Sequence, residues 1–312
     1  MTNSDDVPVG GASAGVFAVV GAATLWALIG VFTRELGARG VAPLDVAWWR
    51  AAGGGLCFAV HAIVGRVPIG LHRSQLPLMG AFTIVGVSIF YLALPEAVGA
   101  GGITVAFVLL YTAPVWVAIG ARVALGETIG RVGWCAVATV VIGVMMVVGG
   151  QAATSRVSGT ALGWGLAAGL SYASYYLVGR RLFASLGAVA TYAVALPIGA
   201  LPLGFASGWS APTISTAGWA VGLVVISTYL PYLLIAAGLK RLKSSTAVVL
   251  ATTEPVIAAG IGWSVYGERL GWIGASGAML VVVAAVWAAT STRVSRRRPR
   301  EHGGPRGRPI QV

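Results

Sequence analysis

One carboxylate lies deep inside an apolar stretch of this chain. Glu254 stands about ten residues into a predicted helix over 244–266, about 15 Å along its axis and near the middle of a bilayer. A carboxylate at that depth costs roughly 2.5–3.5 kcal/mol or more, so such residues usually face a cavity or a partner. Glu254 is therefore a candidate for binding a substrate ammonium group or carrying a proton. The structural alternative is a protonated Glu254 that hydrogen-bonds to a neighbouring helix.

Aromatic side chains recur in the other predicted helices. A pocket lined by Tyr and Trp suits apolar or aromatic substrate side chains, and its hydroxyl groups can bind a carboxylate. For any single ring, ordinary packing or a place in the interfacial aromatic belt is the competing interpretation. The candidate cavity residues are Trp26, Phe82, Phe90, Tyr91, Tyr111, Trp164, Tyr172, Tyr175, Tyr176, Tyr229 and Tyr232.

Two prolines occupy matching positions inside predicted helices. Pro114 and Pro255 each remove a backbone donor and free a carbonyl about one turn earlier, near Leu110 and Ala251. In a membrane, freed carbonyls are tolerated where they line a cavity or are bonded by neighbours. We expect a kink at each proline, which acts either as a hinge beside the site or as a static bend.

Three further charged residues are interpreted mainly as structural. Arg50 lies within the second predicted helix, where it could bind a substrate carboxylate. We favour outward snorkelling of its side chain, or an ion pair with Asp45 or Glu35. Glu127 and Glu268 each stand just before a new predicted helix, where an acid stabilises the positive helix end.

The composition excludes a soluble protein. The 312 residues are 57% hydrophobic and 10% charged, with a mean hydropathy of +0.85, whereas soluble domains carry about 25% charged residues. Much of the net charge of +12 falls in 292–312, which is rich in Arg, Pro and Gly. This composition indicates a disordered cytoplasmic tail and no nucleic-acid partner. Because the sequence lacks metal-ligand spacing and catalytic motifs, we expect no metal, no cofactor and no enzymatic activity.

The apolar segments predict an all-α integral membrane protein with ten transmembrane helices. A helix needs about 20 apolar residues to cross the bilayer, and Gly, Pro and polar residues mark the boundaries. We place residues 1–13 in the cytoplasm as a tail. Among the Lys and Arg residues of loops and tails, those on the outer side of the membrane are then only Arg34, Arg39, Arg156 and Arg269. Because positive charge concentrates on the cytoplasmic side of membrane proteins, this distribution predicts that both termini are cytoplasmic. The predicted helices are 14–35, 44–64, 75–95, 99–121, 131–150, 158–179, 188–206, 215–238, 244–266 and 271–291.

A block near the middle of the chain returns near its end. Residues Thr112–Glu127 read TAPVWVAIGARVALGE, and Thr253–Glu268 read TEPVIAAGIGWSVYGE, at an offset of 141 residues. The sequence therefore divides into two repeats, 14–150 and 151–291, with five predicted helices each. An odd number of helices inserts the second repeat upside down, and such inverted repeats give a transporter two opposite openings around one central cavity.

The paired motifs resemble the EamA-type repeat of the drug/metabolite transporter superfamily. The resemblance implies a bacterial inner-membrane exporter or facilitator of small metabolites with ten helices. Within the superfamily, this chain is most similar to amino-acid exporters, including the YddG-like aromatic branch. The matching residues are Tyr91, Pro114, Gly126-Glu127 and Gly130-x-x-Gly133 in the first half, and Tyr232, Pro255, Gly267-Glu268 and Gly271-x-x-Gly274 in the second.

We therefore expect a secondary transporter that exports amino acids, or facilitates their diffusion, by alternating access, with apolar and aromatic amino acids favoured. Proton-coupled and uncoupled transport both stay open. The expected partners are the substrate and the lipid bilayer, for a monomer or homodimer. Efflux of quaternary-ammonium drugs or another metabolite is the alternative. Anionic substrates would require cations deep in the bundle, and a membrane transferase would require clustered polar groups.

Overall fold

The chain is entirely helical in the part that the structure describes. The computed structural model describes residues 9–149, 158–269 and 271–294, and no strand occurs among them. Helix α1 begins at Val9, within the predicted N-terminal tail 1–13. Helix α14 continues to Val294, and the rest of the predicted basic tail 292–312 lies outside the described residues.

Seven α-helices form the first half of the chain. A 3-10 turn at Arg73–Gln75 precedes α4, and a π-helical stretch at Phe82–Ile89 joins α4 to α5. Their bounds are α1 Val9–Ala27, α2 Ile29–Gly37, α3 Pro43–Val64, α4 Leu76–Ala81, α5 Phe90–Leu110, α6 Ala113–Ala124 and α7 Arg131–Gly149.

Seven more helices form the second half. A π-helical stretch at Val225–Tyr229 joins α10 to α11. The bounds are α8 Gly159–Ser185, α9 Ala188–Ala206, α10 Ile214–Val224, α11 Leu230–Leu239, α12 Ser244–Ala251, α13 Glu254–Tyr266 and α14 Trp272–Val294.

Eight helical segments are long and apolar enough to cross a membrane, within the described residues. The other two predicted spans, 44–64 and 158–179, correspond to α3 and α8, and α8 continues to Ser185. The eight segments are Gly11–Gly37, Arg73–Ile103, Val105–Ala124, Arg131–Gly149, Ala188–Ala206, Ile214–Leu239, Ser244–Tyr266 and Trp272–Thr290.

Several predicted helices are interrupted. The helix predicted at 14–35 breaks at Leu28, and the predicted boundary between 75–95 and 99–121 is instead a change of direction within α5, at Gly102 with φ of 80°. Gly102 adopts a positive φ that L-residues with a side chain rarely reach. The helices therefore begin and end at different residues from those that hydropathy alone indicates.

Pro114 and Pro255 each lie in the first turn of a helix that follows a short turn. Helix α5 ends at Leu110, and α6 begins at Ala113 with Pro114 in its first turn. In the second half α12 ends at Ala251, and α13 begins at Glu254 with Pro255 in its first turn. Proline suits this position because the first residues of a helix have no intrahelical use for their N–H groups. A turn of two residues, 111–112 or 252–253, thus accompanies each expected kink.

Matching local distortions occur in both halves of the chain. The turn at residues 111–112 lies 141 positions before the turn at 252–253, and the first π-helical stretch covers the positions that match the second. Gly126 and Gly267, also 141 positions apart, adopt φ of 65° and 68°. The sequence repeat is therefore accompanied by a repeat of backbone geometry.

The helices pack in pairs across the two halves. Helix α3 packs against α9, α7 against α14, α1 against α11, and α5 against α8. The contact between α7 and α14 brings the two backbones together at Gly143 and Gly277. A Cβ atom added to Gly277 would lie 2.5 Å from the Gly143 carbonyl oxygen. Glycine at this position permits the close approach of two membrane helices.

Replacing Gly277 with Val should destabilise the bundle, because its side chain would overlap the α7 backbone. We expect a loss of about 1–3 kcal/mol, as for other overpacked sites, seen as a lower thermal unfolding midpoint in detergent. Gly163→Val on α8 is the matched control, since a Cβ there meets no atom within 4 Å. An equal loss in both variants would contradict close packing at Gly277.

Candidate functional site

A hydrogen-bonded tyrosine cluster occupies the centre of the bundle. The Tyr91 and Tyr232 hydroxyl groups share a hydrogen bond of 2.7 Å, and the Tyr175 hydroxyl lies 3.1 Å from that of Tyr232. Trp26 packs edge-on against Tyr172 and Tyr232, with ring centroids 6.1 and 6.2 Å apart. All five side chains are buried. The structure thus brings together aromatic residues predicted from four separate helices.

Phe90 and Phe82 complete this cluster on one side. The Phe90 ring stacks on Tyr172 at 5.8 Å, and Phe82 meets Tyr175 edge-on at 5.3 Å. The rings hold one another in place over a large apolar area, which fixes the positions of the hydroxyl groups. Both phenylalanines support the tyrosines from the apolar side.

The sequence interpretation missed Tyr192. This residue of α9 stacks on Tyr232 with ring centroids 4.7 Å apart. It is fully buried, and its hydroxyl has no hydrogen-bond partner among the described residues. The sequence does offer a reason to select Tyr192: it is a tyrosine within an apolar helix, where its hydroxyl is costly to bury.

Glu254 is the first residue of α13 and lies in the middle of the segment Ser244–Tyr266, just after the turn at residues 252–253. Its carboxylate is next to the Tyr111 hydroxyl and within electrostatic reach of Tyr172 and Tyr176. The last two share a hydrogen bond of 3.1 Å. Tyr111, Tyr172 and Tyr176 thus connect Glu254 to the tyrosine cluster.

Arg50 is the cation of the same site. Its guanidinium lies 5.1 Å from the centre of the Tyr91 ring, and Nε donates to the Thr228 hydroxyl at 3.3 Å. The charge of Arg50 also acts on Glu254. The side chain therefore points to the aromatic cluster, and contact with the cluster replaces the outward direction that we favoured.

The acids proposed as partners of Arg50 are engaged elsewhere. Glu35 pairs with Arg39 at 2.8 Å, and Asp45 accepts a hydrogen bond of 2.7 Å from the Ser210 hydroxyl. The expectation of an ion pair with either acid was wrong. We chose Glu35 and Asp45 because they are close to Arg50 in sequence. The residues that Arg50 contacts in the structure, Tyr91 and Thr228, are farther away in sequence.

Two predicted aromatic residues lie away from the cluster around Glu254. The Tyr229 hydroxyl is 2.6 Å from Nδ1 of His61. Trp164 is half-buried and packs against the edge of the core. A separate groove of about 500 Å³ runs along α13 and contains none of the predicted residues; it is lined by Val256, Ala259, Gly260, Trp263 and Arg269.

Glu127 binds a helix end, but the helix is not the one expected. Its carboxylate accepts hydrogen bonds from the backbone N–H of Ser244 at 2.8 Å and of Ser245 at 3.4 Å, and from the Ser245 hydroxyl at 2.9 Å. It therefore caps α12 in the other half of the chain. Glu268 instead forms an ion pair of 2.6 Å with Arg34. Both acids connect the two halves.

The site as a whole combines one carboxyl group and one guanidinium group. Glu254 and Arg50 flank a set of aromatic rings and hydroxyl groups. No three His, Cys, Asp or Glu side chains in the described part lie together in a way that could hold a metal ion. The arrangement can bind a molecule that carries both charges, with its side chain against the rings.

Comparisons with known proteins show which family this chain resembles. The model of the EamA-like transporter family matches residues 13–149 and 159–290. An uncharacterized transporter from Archaeoglobus fulgidus is 27% identical over 265 residues, which cover 82% of this chain and 89% of that protein. A protein of known crystal structure has the same fold, with a TM-score of 0.77 at 17% identity over 91% of this chain and 99% of the other.

One relative carries a functional name. The threonine/homoserine exporter RhtA of Salmonella typhimurium is 35% identical over 155 residues, which cover 46% of this chain and 49% of the exporter. The two matches of the family model together extend over most of the chain. The protein is therefore a member of the EamA-like transporter family.

Proposed function

We propose that this protein is a secondary transporter that exports amino-acid-type metabolites, or facilitates their diffusion, across a bacterial inner membrane. Its substrate binds between Glu254 and Arg50, and apolar or aromatic amino acids are favoured. Transport proceeds by alternating access between two inverted repeats of five membrane helices, with both termini in the cytoplasm. The Glu254 carboxyl group and the Arg50 guanidinium beside aromatic rings are the observation that carries this proposal.

The count of ten membrane helices adds α3 and α8 to the eight apolar segments. Helix α3 has 22 residues and α8 has 27, which correspond to about 33 and 40 Å at 1.5 Å per residue. Both lengths suffice to cross about 30 Å of hydrocarbon. Arg50 and the hydroxyl-bearing residues of α8 lower the hydropathy of these two helices, and such residues belong in spans that line a polar site.

Two contacts support the inverted arrangement of the repeats. Tyr91 and Tyr232 are repeat mates, and they bond directly to each other. A residue that touches its own mate lies at the axis that relates the two halves. The Glu127 contact to Ser244 also joins the end of the span Val105–Ala124 to the start of Ser244–Tyr266. These equivalent spans therefore run in opposite directions, as inverted repeats require.

The charges of the site favour a zwitterion. An ammonium group can bind Glu254 and the hydroxyl groups beside it, while a carboxylate can bind Arg50, since both are charge-assisted interactions. A substrate with only one charge would leave the other protein group without a partner, which carries a desolvation cost in a buried site. An α-amino acid supplies both groups on one carbon atom.

The aromatic rings and the named relative both favour an amino-acid side chain. Trp26, Phe90 and Tyr172 offer apolar surface next to the charged residues. The relative from Salmonella typhimurium exports threonine and homoserine, according to its name. We infer that this chain carries amino acids as well, and that its aromatic cluster extends the range towards Phe, Trp and Met.

Organic cations are the second candidate substrate class. Tyrosine and tryptophan rings around Glu254 resemble the cages that bind quaternary ammonium groups. Arg50 opposes this function, because its charge repels a cation at the same cluster. We therefore rank amino acids first and use quaternary ammonium compounds as a discriminating probe.

Glu254→Gln should reduce amino-acid transport by tenfold or more, because the amide is uncharged and binds an ammonium group more weakly than the carboxylate. Counterflow of labelled threonine, phenylalanine, tryptophan and methionine in proteoliposomes measures the effect. Glu35→Gln is the matched control, since Glu35 pairs with Arg39. Wild-type rates in Glu254→Gln would remove this residue from the mechanism.

Arg50→Gln should weaken transport of amino acids and spare that of a quaternary ammonium compound such as tetraethylammonium. The loss of the guanidinium removes the partner of the substrate carboxylate and also the repulsion of a cation. The ratio of the two transport rates in proteoliposomes is the measurement. Equal losses for both compounds would contradict a carboxylate-binding role for Arg50.

A further inference from the structure

The strongest unexplained feature is a pair of ion pairs that the repeat relates to each other. Arg34 and Arg180 occupy corresponding positions at an offset of 146, and Glu127 and Glu268 correspond at an offset of 141. Arg180 lies 3.7 Å from Glu127, and Arg34 lies 2.6 Å from Glu268. Each pair therefore joins one half of the chain to the other.

The two pairs lie at opposite ends of one membrane span. Glu127 contacts Ser244, where the segment Ser244–Tyr266 begins, and Glu268 follows the end of the same segment. That segment has 23 residues, or about 34 Å of helix at 1.5 Å per residue. One acid therefore belongs to each face of the membrane.

The face that contains Glu127 is closed. The Glu127 carboxylate caps α12, its side chain is only 8% exposed, and Ser244 is fully buried. The Arg180 guanidinium donates to the Leu242 carbonyl at 2.5 Å, and Ser244 Oγ donates to the Tyr176 carbonyl at 2.8 Å. Helix α6 packs against α12 over this contact.

The face that contains Glu268 is open at the equivalent contact. Ile103, the repeat mate of Ser244, is 67% exposed, and the Glu268 side chain is 57% exposed. Glu268 binds Arg34 and not a helix end. In the described part of the chain, no packing comparable to that of α6 on α12 joins α13 to α5. The structure therefore has one closed and one open face at positions that the repeat makes equivalent.

We propose that Glu127 and Glu268 are alternating latches of the two faces, an inference that rests on the proposed alternating access. Closing the second face places the Glu268 carboxylate on the backbone N–H groups that begin at Ile103, as Glu127 now holds α12. Arg34 then turns to the carbonyl of Gly101, the mate of Leu242. At the first face Glu127 leaves α12 and forms a close ion pair with Arg180.

The latch is connected to the substrate site through Tyr176. Its hydroxyl belongs to the cluster beside Glu254, and its backbone carbonyl holds Ser244 at the Glu127 latch. Movement of α12 therefore acts directly on the substrate-facing tyrosines. Tyr176 thus links substrate release to the opening of the closed face.

Spin-label distances test the latches without any transport measurement. Labels at Gly99→Cys and Val265→Cys, in a chain with Cys57 and Cys135 replaced by Ser, report the open face, since both positions and their repeat mates Lys240 and Ala124 are exposed. In lipid nanodiscs we expect mainly long distances for the otherwise unchanged chain. Glu127→Gln should raise the ratio of short to long distances by tenfold or more, because the closed face loses its charged cap.

Adding Glu268→Gln to that variant should remove most of the short-distance population, because the opposite latch is then lost as well. Glu35→Gln is the control and should not change the distances. Ser245→Ala, which removes one bond to Glu127, should produce a smaller shift in the same direction and serves if Glu127→Gln does not fold. Unchanged spin-label distances in Glu127→Gln would overturn the proposal. If that variant does not fold, unchanged distances in Ser245→Ala would do the same. The proposal also fails if the short-distance population persists after Glu268→Gln is added.

The outcome is independent of the substrate assignment. A shift in Glu127→Gln supports the latches even if amino-acid counterflow is absent, in which case the substrate class alone fails. Amino-acid counterflow with no shift in the distances leaves the proposed function in place and removes the latches.

Discussion

The fold depends on how the backbone is satisfied where two membrane helices are interrupted. A carbonyl without a partner is costly in hydrocarbon, so a break in a membrane helix requires local compensation. The Thr112 hydroxyl donates to the Leu109 carbonyl at 2.6 Å, and the Thr253 hydroxyl donates to the Leu250 carbonyl at 2.8 Å. Because these pairs are repeat mates, the same solution occurs in both halves. Pro114 and Pro255 then start the next helices without a lost bond.

The break in the second half also creates the environment of Glu254. In a continuous helix this carboxylate would project from the side of an apolar segment. It is the first residue of α13, just after the turn at residues 252–253, with the Tyr111 hydroxyl beside it. The first half has Ala113 at the equivalent position. The two halves thus share the same backbone geometry at this place. The second half alone has a carboxyl group there, because it has Glu254 where the first half has Ala113.

Sequence reasoning predicted what depends on composition and on repetition. The all-helical fold, the offset of the halves, Glu254 and most of the aromatic cluster could be recognised because charge and hydroxyl groups are conspicuous in apolar helices. The distortion at residues 252–253 was expected from Pro255, but hydropathy does not show that the helix is interrupted by a turn there. The direction of Arg50 and the partners of Glu127 depend on contacts between helices far apart in sequence, which no local pattern encodes.

We expect the site to accept a molecule with both an ammonium and a carboxylate group. Competition against labelled phenylalanine in proteoliposomes tests it most directly, with phenylalanine, phenethylamine and 3-phenylpropionate as competitors that share a ring and differ in charged groups. Phenylalanine should compete at least tenfold more strongly than either analogue, because each analogue leaves Glu254 or Arg50 without a partner. Equal competition by phenethylamine would contradict the account and identify an organic-cation site.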